Sequence, residues 1–225
     1  AASSGASAST SQAESGFTGS YLMGTGGATG NYYAFGNALC TVVNKVLGCN
    51  ITVNSTGGST ENARLLGSGE NEFAMIQSDV YSYAQQGIEL FEGNAITNFY
   101  AITACYPEMV QIVVRKDSGI KSVADVKGKT INLGDPGSGN RVNAMQVFKE
   151  IGLKPGDDFR GEGLKPADAP HTLQDGRIDG FFYTVGHPNG NIKEATAGKR
   201  KCRIVPITGL DNLLKECPYY SMTKI

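Results

Sequence analysis

The sequence predicts an α/β protein of two lobes with a ligand cleft between them. Three observations carry that reading. Short apolar strands alternate with amphipathic helical stretches along the chain. Glycine-rich polar turns recur where a strand hands over to a helix, at residues 24–31, 55–60 and 134–140. Two such β/α sets follow one another, in 17–107 and in 108–210, and in open α/β sheets the ligand crevice lies at the carboxyl ends of the strands.

The bulk numbers narrow the function classes. The chain has 225 residues, enough to bury a real core. Lys+Arg is 20 and Asp+Glu is 21, a formal net charge of −1, so no basic field holds nucleic acid or an anionic membrane. No apolar run reaches the length of a spanning helix. Five cysteines without a CxxC and two histidines make a zinc site improbable, and no metal or cofactor is expected. Cys202 with Cys217 is the plausible disulfide. Cys40 and Cys49 would stand about 13 Å apart if helix ran between them, unless Gly48 ends it early. The alternative is that all five, Cys105 included, are small buried side chains.

Residues 1–16 (AASSGASASTSQAESG) bury nothing and read as a flexible linker, either a lipoprotein tether or a cloning scar. Residues 17–24 form a strand that runs into the turn holding Gly26, Gly27 and Gly30. A helix follows with Phe35, Leu39, Val42, Val43 and Val46 on one face, ending at Gly48. The turn has neither the dinucleotide G-x-G-x-x-G spacing nor a P-loop Lys-Ser/Thr. Residues 49–53 are the next strand. It empties into Thr56-Gly57-Gly58-Ser59, and a helix continues to Gly67. A short strand over 72–76 then delivers Gln77-Ser78-Asp79 to a helix over 81–86.

The apolar 98–105 (NFYAITAC) and the strand 109–115 (MVQIVVR) flank Tyr106-Pro107-Glu108, which reads as the crossing between strands of the two lobes. Glu108 there is either a hinge cap or a ligand group, with the cap slightly favoured. Ser122 and Asp125 frame a short helix by a capping box. Strand 130–133, the turn Gly134–Asn140 and a helix over 142–153 come next. A helix start presents free N–H groups and partial positive charge, so this turn is an anion site or an ordinary βα turn N-capped by Ser138 or Asn140. Strands over 157–164, 178–184 and 203–207 alternate with helices over 166–174, 192–196 and 210–216.

The segments GTGGATGNYYAFGNAL (24–39), STGGSTENARLLGSGENEFAMIQSD (55–79), YPEMVQIVVRKDSGIKSVADVKGK (106–129), INLGDPGSGNRVNA (131–144) and DGRIDGFFYTVGHPNG (175–190) together resemble the TAXI class of TRAP-transporter solute receptors. The resemblance implies a two-lobed periplasmic-binding-protein fold that closes on a small carboxylate such as glutamate, glutamine, 2-oxoglutarate or another dicarboxylate. It implies an extracytoplasmic, lipid-anchored or periplasmic receptor that catalyses nothing and delivers its ligand to an ion-gradient-driven membrane permease. Matched by motif, its pocket falls on Gly26, Gly27, Tyr32, Gly58, Ser59, Gln77 and Ser78 in the first lobe. In the second it falls on Ser138, Gly139 and Asn140, with Tyr183 and His187 at the far wall, although His187 is equally a strand-end cap. Arg141 is the obvious counter-charge unless it points to solvent. Two departures stand out: Asn140 replaces the family's usual Thr, and family chains continue past the position of Ile225, so 211–225 reads as the start of a shortened return to the first lobe. An enzyme on a similar bilobal fold is the alternative, but no nucleophile has an adjacent base in sequence. A surface sensor or antigen that keeps the fold without transport is the other.

Overall fold

The structure is a computed structural model that describes Phe17 and residues 19–225. The expected 1–16 tether lies outside the described residues. The chain makes two sheets, as the alternation of strands and helices predicts. The first has the order β2-β1-β3, built from β1 (Ser20–Gly24), β2 (Asn50–Asn54) and β3 (Phe73–Ala74), all parallel. The helices α1 (Asn31–Leu47), α2 (Ser59–Ser68) and α3 (Ser78–Gln86) follow its three strands, so all three strand ends deliver polar turns to one edge. Gly48, Gly69 and Gly87 close these helices at φ +69°, +76° and +66°, where a side chain would be strained.

The second sheet has the order β6-β5-β7-β4-β8. Its strands are β4 (Met109–Arg115), β5 (Thr130–Asn132), β6 (Arg160–Glu162), β7 (Gly180–Val185) and β8 (Cys202–Val205). β4 runs antiparallel to both β7 and β8, and β5 parallel to β6 and β7. Apolar side chains cover both faces. Ile112, Ile131, Phe148, Phe159 and Phe182 pack on one side with helix α4 (Gly139–Glu150), and Val113, Phe181 and Leu173 on the other with α5 (Ala169–Gln174) and α6 (Gly190–Ala197). Every residue of β7 is buried, the mark of a central strand covered on both faces.

Four local expectations change. Residues 98–105 join neither sheet and are exposed beyond Phe99, with Tyr100 and Ile102 each 82 % accessible. An apolar run becomes a strand only where a neighbour exchanges backbone hydrogen bonds with it, and none lies alongside. The inward stripe of α1 is Gly36, Cys40 and the partly buried Val43, while Val42 and Val46 face outward. The strand expected over 157–164 shrinks to β6. All five cysteines are free: Cys40 packs on Met23, Cys49 approaches Asn44, and Cys202 and Cys217 are not joined. The capping box at Ser122 and Asp125 is present, heading a short 3-10 turn.

Candidate functional site

The turn at 134–140 is built as the sequence indicates, and the N–H groups of Gly137, Ser138 and Arg141 find acceptors within it. Ser138 caps α4: its Oγ accepts from Arg141 N–H at 3.1 Å and donates to the Asp135 carbonyl at 2.7 Å. Asp135 Oδ1 takes the Gly137 N–H at 3.0 Å. Across the interface, Glu61 Oε2 takes the Gly57 N–H at 2.8 Å, and the Glu61 N–H donates to the Gly137 carbonyl at 3.2 Å. Each glycine turn therefore gives one N–H, that of Gly57 or Gly137, to a carboxylate of this chain. Asn140 is buried and fully engaged, donating to the Leu133 and Phe182 carbonyls and accepting from Thr184 N–H. Arg141 folds back toward the Gly134 carbonyl.

The same turns bring the two sheets' helices together. A Cβ at Gly139 would overlap the Gln77 side-chain amide, and one at Gly58 would sit 3.6 Å from Ser138 Cα. Ser59 Oγ accepts from Gln77 N–H at 3.1 Å. At the other rim, Asn31 Nδ2 donates to the Gly186 carbonyl at 2.9 Å, and Asn189 Nδ2 to Asn31 Oδ1 at 3.1 Å. Gly26 packs beside Tyr32, and a Cβ at Gly27 meets nothing within 4 Å.

A cavity of about 2040 Å³ is bordered by both sheets, and Tyr32, Gln77 and Ser78 of the sequence-predicted set line it. The other nine are not on its lining. Tyr183 accepts from Asn191 Nδ2 at 3.2 Å, and His187 Nε2 lies 3.1 Å from Gln111 Oε1. Most of the lining falls outside the matched set, including Glu108, read as either a hinge cap or a ligand group, and Gln111. Gln111 is 1 % exposed and polar in the middle of an otherwise apolar strand, which is the signal that could have found it. Among the described residues its Nε2 has no hydrogen-bond partner, nor has the buried Tyr106 hydroxyl.

Two carboxylates face this cavity from different surroundings. Asp79 heads α3 and is 2 % exposed. Its Oδ2 accepts from Asn143 Nδ2 at 2.6 Å and from the Tyr220 hydroxyl at 2.7 Å, and its Oδ1 from Gln77 Nε2 at 3.3 Å. Asn143 Oδ1 in turn accepts from Gln77 Nε2 and from the Thr184 hydroxyl, each at 2.8 Å. Glu108 has one partner: Tyr32 donates its hydroxyl to Oε2 at 2.7 Å. Desolvation pushes the Glu108 carboxyl up to about 7; the Tyr32 hydrogen bond lowers it and the Asp79 charge adds a further upward push. Burial and then the Glu108 charge drive the Tyr32 phenol well above its ordinary value.

Among the described residues no cluster of three or more His, Cys, Asp and Glu is placed to hold a metal, and no helix is long and apolar enough to cross a membrane. The fold and cavity define a bilobal architecture, in which two α/β units border one space lined mostly by apolar side chains. The chain belongs to the NMT1-like family, whose signature matches residues 23–225. Solved structures share the fold. The periplasmic aliphatic sulphonate binding protein SsuA from Escherichia coli superposes with a TM-score of 0.50 at 21 % identity, over 83 % of this chain and 59 % of its own. An ABC uptake transporter substrate-binding protein from Streptococcus pneumoniae with bound histidine reaches 0.58 at 17 %, over 84 % and 74 %. The GluR0 ligand-binding core from Nostoc punctiforme with L-glutamate reaches 0.53 at 18 %, over 83 % and 78 %. The chain spans less than two thirds of the length of the sulphonate-binding protein.

Proposed function

We propose that this chain is an extracytoplasmic solute receptor of the TAXI type, with lobes over 17–107 and 108–210. It captures a small carboxylate and hands it unchanged to a TRAP membrane permease. The observation that carries the reading is the cavity bordered by both sheets, with Tyr32, Gln77 and Ser78 on its lining. Tyr32, Gln77 and Ser78 are its direct contacts. Tyr183 and His187 brace the wall from behind, His187 by fixing the Gln111 amide. Gly26, Gly27, Gly58, Ser59, Ser138, Gly139 and Asn140 set how closely the lobes approach. The compared structures hold histidine or L-glutamate or belong to a sulphonate-binding protein, all small solutes with an acid group, which favours this ligand class.

Thermal unfolding in the presence of C4–C5 dicarboxylates and amino acids tests it. A solute at one hundred times its Kd adds about 2.7 kcal/mol to the unfolding free energy. For a chain of this size that raises Tm by about 5–10 °C. A panel in which no small carboxylate moves the melting curve rejects the reading.

A further inference from the structure

We propose that Glu108 is the cation-recognition group of this pocket, so that the captured carboxylate also carries a protonated nitrogen and a plain dicarboxylate is rejected. The inference deepens the receptor reading and rests on it. Four charged side chains line the cavity: Glu72, Asp79, Glu108 and Lys224. Glu72 Oε2 is spent on the Leu22 N–H, and Lys224 lies in the exposed last residues. Asp79 has its oxygens filled by Asn143, Tyr220 and Gln77. Glu108 Oε1 makes no hydrogen bond among the described residues, and no Arg lines the space to receive a second ligand carboxylate. A dianion would meet two carboxylates and no guanidinium.

The surroundings of Glu108 suit an ammonium group. Tyr32 and Tyr106 stand edge to face with ring centroids 6.4 Å apart, and Phe35 packs on Tyr106 at 5.6 Å. Tyr183, which faces Gln111 across the β4–β7 ladder, feels the Glu108 charge as Tyr106 does. A carboxylate among aromatic rings attracts a cation twice, by charge and by ring quadrupole. The raised Glu108 carboxyl agrees: a buried charge short of partners is what a ligand cation would stabilise.

The test is calorimetric titration at pH 8 with pairs that differ only in the ammonium group, L-glutamate against glutarate and L-glutamine against glutaramate. Wild-type protein and Glu108→Gln are compared, with melting curves confirming that the variant is folded. The expected result is that one amino acid binds the wild type on the order of 30-fold more tightly than its deaminated partner. Glu108→Gln brings that ratio to about one by weakening only the amino acid, since removing one partner of a charge pair leaves the uncharged interactions in place. If the deaminated partner binds the wild type equally well, or if Glu108→Gln leaves the preference intact, the assignment of Glu108 is overturned while the carboxylate receptor stands. If none of the four probes binds the wild type, the assignment falls together with the receptor reading from which it grows.

Discussion

Asp79 and Glu108 border one cavity, yet the chain provides for them in opposite ways. Asp79 sits at the first turn of α3, where the helix dipole favours a negative group, and three side-chain donors converge on it. Those donors come from α3's own cap, from α4 of the second sheet and from the last residues of the chain. Asp79 therefore joins three parts of the molecule and has little capacity left for anything else. Glu108 lies where the chain passes from one sheet to the other, with one phenol for company. The first carboxylate is placed for cohesion and the second for binding, although both are acidic residues facing the same space. What separates them is the count of donors each has.

Breaking the Asp79 side should produce the largest effect. Asp79→Ala takes one acceptor each from Asn143, Tyr220 and Gln77, which keep the Tyr220 hydroxyl oxygen, Gln146 Oε1 and Asn143 Oδ1 respectively. The loss is then that of three hydrogen bonds to a charged group with no donor left bare, and a total of about 3 kcal/mol is expected. Urea denaturation measures it, and a loss below about 1 kcal/mol would remove the contrast drawn between the two carboxylates.

The Glu108 side shows itself in pH dependence. Its carboxyl is raised to about 7 from an ordinary value of 4.5, so the folded chain holds the proton more tightly than the unfolded chain. The associated stability is complete below about 4.5 and is lost as pH rises through about 7. Tyr32, Tyr106, Tyr183 and Asp79 surround the group, and its surroundings contain no cation to cancel the effect. Wild-type protein should lose on the order of 2 kcal/mol from this group between pH 4.5 and 8, a figure discounted for the solvent that reaches the carboxylate. Glu108→Gln should lack that component, and identical pH profiles for the two proteins would contradict it.

The smallest effect belongs to the glycine turn that the two carboxylates leave aside. Ser138→Ala removes one helix cap and should cost about 1 kcal/mol of stability while leaving ligand affinity unchanged. Affinity that falls with the cap would put the turn back among the binding groups.

These residues show how far the sequence could be read. The element order was legible because β1, β2 and β5 run into glycine-rich or small polar turns and apolar residues recur at strand and helix spacing along most of the chain. The helix-start chemistry was legible as well, down to Ser138 as a cap. What sequence spacing could not reveal was that one N–H of each turn goes to a carboxylate nearby, Glu61 four residues from Gly57 and Asp135 two residues from Gly137. The exposure of 98–105 depends on whether a neighbouring strand is present, which no local pattern records. Glu108 was ambiguous for the same reason: a carboxylate at a crossing point is a cap or a ligand group according to what the other lobe brings to it.

The unpaired stretch 100–105 has a colloidal consequence. Tyr100 and Ile102 stand on a length of backbone that belongs to neither sheet among the described residues, and with Met222 and Ile225 they are exposed and line the same cavity. Unsatisfied backbone with apolar side chains is a template for strand addition by another molecule. Protein concentration therefore enters every measurement made on this chain as a second variable, because self-association would compete with solute for the residues that line the cavity.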